Sequence, residues 1–112
     1  MNRYTATALF SLALAGPVGP AVAGDGGGTA AADLSAEGRS IYVRQCSRCH
    51  GYNMMNNGLA AFDLRTFPKN DYDRFVAAVT KGKAPKMPPW GDVLSSGEIE
   101  ALWAYVRTGG TP

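Results

Sequence analysis

The stretch Gln45–Gly51, QCSRCHG, constrains this chain more than any other feature. It packs both cysteines and the only histidine into the five consecutive positions 46 to 50. Side chains this close in sequence share one local site whatever the rest of the chain does. A redox thiol pair, a metal site and a covalent anchor for haem all draw on such a cluster. Tetrahedral zinc takes four ligands, commonly Cys and His, and this chain has three in total. A redox-active Cys-x-x-Cys starts a helix after a strand, whereas the residues before Cys46 have helical rather than alternating periodicity. The pattern that remains is Cys-x-x-Cys-His, the attachment site for c-type haem. Its spacing has a physical purpose. Two thiols one turn apart meet the two vinyl groups on one porphyrin edge, and His50 swings its imidazole under the iron.

The 112 residues suffice for one domain and are too few for two separate cores. Residues 1–23 read as an export signal rather than as part of the folded protein. Arg3 is their only charge, the apolar run ATALFSLALAG follows, and Ala21–Ala23 fits a small-residue cleavage site. The run breaks at Gly16 and Pro17, short of the roughly 20 apolar residues that a spanning helix needs, so no membrane span is expected after cleavage. Without Arg3 the balance is ten Lys and Arg to nine Asp and Glu. Nucleic-acid binding is not expected from so small an excess of cations. Gly24–Asp33, GDGGGTAAAD, offers almost nothing to pack and is expected to be a flexible leader. The domain is therefore placed at 34–112, with its folded part over about Leu34 to Gly109. A domain this small gains from a buried cofactor that extends its core.

Three stretches carry helix signals, and none has sustained strand alternation. In LSAEGRSIYVRQC, Asp33 or Ser35 is the expected cap, and Leu34, Gly38, Ile41, Tyr42 and Gln45 share one side. In NDYDRFVAAVTKG, Asn70 is the expected cap, Tyr72, Phe75, Val76 and Val79 form the stripe, and Gly82 is the stop. In SSGEIEALWAYVRTGG, Ser95 and Glu98 make an S-x-x-E capping box, Ile99, Leu102, Trp103 and Val106 the stripe, and Gly109 the stop.

A second iron ligand is expected at Met87. It stands in KAPKMPPWGD among Pro85, Pro88 and Pro89, a segment that can be neither helix nor central strand. A thioether on such a stiffened loop suits the sixth position of a haem iron, opposite His50. Met54 and Met55 follow His50 too closely to reach the opposite face easily and are expected to fill space in the core. Trp90 is a candidate to pack on the haem edge or to donate its indole N–H to a propionate.

On these residues the chain resembles the small class I cytochromes c from about Leu34 to Gly109. In that family a helix with Gly and an aromatic residue eight and four positions before the first Cys crosses a C-terminal helix with a Leu and an aromatic residue three apart. Gly38, Tyr42, Leu102 and Tyr105 stand at those positions. The resemblance implies an all-α class I cytochrome c fold, three or more helices around one covalently bound haem c. GLAAFDLRTF and VTKGKAPKMPPWGDVLSSGEIEALWAYV are similar to haem domains associated with PQQ-dependent alcohol dehydrogenases. That likeness implies such a dehydrogenase as electron donor, a terminal oxidase or another cytochrome as acceptor, and Arg65 as a partner for a haem propionate. In many members a proline near here supplies the carbonyl that accepts from the ligating histidine. Phe62 departs from that pattern and leaves open which carbonyl serves.

The function implied is periplasmic one-electron transfer with no bond made to substrate, so the chain is expected not to be an enzyme. Met and His ligation favours the ferrous state, because the thioether is a soft neutral donor and burial disfavours added charge. Lys81, Lys83 and Lys86, just before Met87, are expected to steer acidic partners. Two other functions stay open at this level: a peroxidase-like haem enzyme with an open distal position, and a haem-free thiol oxidoreductase cycling Cys46 and Cys49.

Overall fold

The computed structural model describes Gly16, Gly19 and residues 26–59 and 62–111. The export signal expected over 1–23 lies outside these residues, Gly16 and Gly19 aside. The described residues form helices α1 (Gly26–Gln45), α2 (Ser47–His50), α3 (Tyr72–Lys81) and α4 (Ser96–Val106), with 3-10 turns at Tyr52–Met54 and Leu64–Thr66. There is no strand among them, only an isolated bridge between Lys83 and Met87. The class is all-α, as expected.

α1 starts earlier than the sequence suggests. Neither Asp33 nor Ser35 caps it, because the helix already runs from Gly26 through the stretch read as a flexible leader. Ala30, Ala31 and Ala32 are strong helix formers, and a helix already nucleated by its packed half extends at low cost through such residues. The added turns are exposed at residues 28–33 and contribute nothing to the core.

The core is made where α1 crosses α4. Gly38 is the contact point: a Cβ there would overlap the Ala101 carbonyl oxygen, so only glycine allows this approach. Around it Ile41, Tyr42, Ala101, Leu102, Tyr105 and Val106 are buried, and the Tyr42 and Tyr105 rings lie 5.3 Å apart. α4 begins with both halves of its capping box. Glu98 N–H donates to the Ser95 hydroxyl, and Ser95 N–H donates to the Glu98 carboxylate at 2.8 Å. At its other end the Lys69 ammonium donates to the Val106 carbonyl at 3.1 Å, tying the loop after Leu64 to the helix terminus.

α3 packs Phe75 and Val79 inward, with Phe75, Phe67 and Tyr72 gathered around Trp103 of α4. Its cap is Asp71, whose carboxylate accepts from Arg74 N–H, and not the expected Asn70. Either residue type serves as a cap, and the register of the buried Phe75 and Val79 decides between neighbours. Of the two methionines expected to fill space, Met54 is wholly buried in the core, while Met55 is 45% exposed.

Candidate functional site

α1 leads directly into the cysteines. Cys46 N–H donates to the Tyr42 carbonyl, and Tyr42 reaches forward with its own hydroxyl, donating to the Gly51 carbonyl at 2.6 Å. This buried tyrosine thus holds both ends of the Cys46–His50 segment. Asn56 secures it from the other side, donating to the Cys49 carbonyl at 2.6 Å while its side-chain oxygen accepts from Gly58 and Leu59 N–H.

His50 Nδ1 lies 2.8 Å from the Phe62 carbonyl oxygen. With Nδ1–H donating there, the other ring nitrogen, Nε2, presents its lone pair for coordination. The question left open by the sequence therefore has an answer in the residue that raised it: Phe62 itself offers the carbonyl. Its ring stands 6.0 Å from the imidazole, tilted by 59°.

Met87 is presented by a tight turn. Lys83 N–H donates to the Met87 carbonyl at 2.9 Å and Met87 N–H returns a bond to the Lys83 carbonyl at 3.0 Å, around a cis Ala84–Pro85 peptide. Gly82, at φ 71°, turns the chain out of α3 into this loop. Trp90 N–H then donates to the Val79 carbonyl, returning the segment to the helix.

These elements enclose a cavity of about 580 Å³, within the usual range for a cofactor site. Cys46, Cys49, His50, Met87 and Trp90 all line it, together with Phe62, Pro88, Arg44, Arg48, Lys83 and Lys86. The fold thus brings together every predicted donor and the predicted haem-edge tryptophan. Arg65 is placed elsewhere. It does not line the cavity, and its guanidinium is bound to the Asp63 carboxylate two residues away. Lys81 is also absent from the lining, whereas Arg44 and Arg48, which sequence reasoning passed over, line it together with Lys83 and Lys86.

The donor set fits a covalently held haem: two thiols on one wall, an imidazole with its far nitrogen already engaged, and a thioether on a braced turn. Cys46 and Cys49 are not joined in a disulfide. Burial, and secondarily the adjacent Cys49, push the Cys46 thiol up to about 11. Reactive redox thiols have the opposite tendency, toward a stabilised thiolate.

Comparison with known proteins agrees. Residues 32–106 match the family described as cytochrome C oxidase, cbb3-type, subunit III. A cytochrome c6 of Rippkaea orientalis is 33% identical over 91 residues, covering 78% of this chain and 73% of that protein. The cbb3-type cytochrome c oxidase subunit FixP of Azorhizobium caulinodans is 35% identical over 87 residues, covering 72% of this chain and 30% of that protein. The quinohemoprotein alcohol dehydrogenase ADH IIB of Pseudomonas putida is 33% identical over 82 residues, covering 71% of this chain and 12% of the enzyme. No solved structure matches the chain at a significant level. The chain belongs to the cbb3-type subunit III family of cytochrome c domains. It is a haem c protein of electron transport, the haem being covalently bound.

Proposed function

We propose that this protein is an exported, periplasmic one-electron carrier, not an enzyme, in which Cys46 and Cys49 hold haem c as thioethers and His50 and Met87 are the axial ligands. The observation that carries this reading is the single cavity on which two thiols, the Nδ1-engaged imidazole and the turn-held thioether converge. Bound haem c supplies a one-electron iron couple. The chain's own residues keep that couple outer-sphere. Phe62 fixes the plane of His50, the Lys83–Met87 bridge holds the thioether in place, and Trp90 with Pro88 walls the cavity.

Docking falls to the cavity mouth. Arg44, Arg48, Lys83 and Lys86 stand around it, and among the described residues that line it none is a carboxylate. Such a rim suits brief encounters with acidic partners. The likeness to part of a quinohemoprotein alcohol dehydrogenase supports a PQQ-dependent dehydrogenase as donor, and the likeness to FixP supports a terminal oxidase as acceptor.

An optical spectrum of purified protein tests the site. Reduced haem c bands are expected, with the weak long-wavelength band of thioether-ligated ferric haem. Met87→Ala should abolish that band, and its persistence would assign the sixth ligand to another residue. Ready binding of CO to the ferrous wild-type protein would instead indicate an open distal position.

A further inference from the structure

A side-chain contact joins the two loops that flank the cavity. Phe62 follows the loop fixed by Asn56 and accepts from His50; Lys86 precedes Met87 in the braced turn. The Lys86 ammonium stands 5.9 Å from the centroid of the Phe62 ring, within the range of a cation–π contact. Both residues line the cavity mouth, Phe62 half-buried and Lys86 exposed. The Lys83–Met87 turn is held by its own backbone bonds and by Trp90 N–H on Val79, so it hangs from the end of α3. Phe62 belongs to the opposite wall, which is built from α1, α2 and the loop after them.

We infer that Phe62 and Lys86 form a latch across the cavity mouth, in which the aromatic ring that backs the His50 ligand also holds the Met87 turn closed. Phe62 is thus a positioning residue for both axial ligands: its carbonyl orients the imidazole, and its ring, through Lys86, sets how often the thioether turn swings away. The inference rests on the reading of Met87 as the sixth ligand. Opening of that turn exposes the iron's sixth position to outside ligands, and the latch opposes it by an amount typical of an exposed cation–π pair.

The test uses the ferric holoprotein and imidazole, titrated above the probe's own pKa so that it is neutral and insensitive to the charge of Lys86. Phe62→Leu and Lys86→Gln are each expected to raise the apparent affinity for imidazole on the order of two- to five-fold. The double variant should rise no further than either single one, and Phe62→Tyr should keep the wild-type value. Amide hydrogen exchange at Lys83 and Met87 should quicken in both single variants. Additive effects, or unchanged affinity and unchanged exchange, would overturn the latch. A wild-type protein without the thioether band would overturn the Met87 reading instead, and the exchange measurement would still decide whether Phe62 and Lys86 hold the turn.

Discussion

Gly38 shows how one missing side chain positions the whole site. The backbone of α1 reaches the Ala101 carbonyl of α4 only because no Cβ intervenes, and this close approach seats Tyr42 against Tyr105, four residues before Cys46. Gly38→Ala is therefore expected to destabilise the protein by about 1 to 3 kcal/mol or more, as overpacking against backbone does. Denaturant unfolding should show a lowered midpoint with an unchanged slope. The haem-type motif was legible at this scale because Cys46, Cys49 and His50 are local, and Met87 because prolines mark its segment. The carbonyl partner of His50 was not, since every residue has a carbonyl and only the folded chain brings that of Phe62 to the imidazole. Arg65 has a local partner that spacing did not reveal: Asp63, two residues earlier, takes its guanidinium. Arg44 and Arg48 were passed over because only the fold brings them to the same cavity as Lys83 and Lys86.

α4 is the best-defined element, and its capping box gives it a pH dependence. The Ser95 backbone N–H, and then its hydroxyl, hold the Glu98 carboxyl below its ordinary value of 4.5. A carboxylate with a folded value below its unfolded one stabilises fully above about 4.5. That contribution is lost as pH falls through the folded value. The melting temperature should accordingly decline below pH 4.5, and Glu98→Gln should flatten part of that acid limb. Asp63, lowered by its hydrogen bond from Arg65, supplies a limb of the same sign that persists in the variant. Ser95 and Glu98 could be read from spacing alone because a capping box is four residues long. The start of α1 could not, because a Gly and Ala tract is helical only when the turns beyond it are already anchored, and α4 provides the anchor from the far end of the chain.

The formal net charge of the full chain is only +2, yet its cations are unevenly placed. Arg44, Arg48, Lys83 and Lys86 converge on one opening while Lys81 stands apart from it. Electron transfer with an acidic partner should slow as salt rises, with most of the effect gone once the screening length falls to about 8 Å near 0.15 M. Stopped-flow rates should show a shallower salt dependence for Arg48→Gln and Lys83→Gln than for wild type, whereas Lys81→Gln should leave the slope nearly unchanged. A rate independent of salt would rule out steering by this rim. The crossing of α1 with α4 has one more consequence, in the order of events during folding. The segment that carries Cys46, Cys49 and His50 lies within one stretch of chain, but Tyr42 has no Tyr105 to rest against until Ser96–Val106 folds back on α1. Pairing of elements so distant in sequence comes late in folding. Until then the unfolded chain offers its two thiols on an unpacked helix end, an interval in which covalent attachment can take place before the core shuts around it.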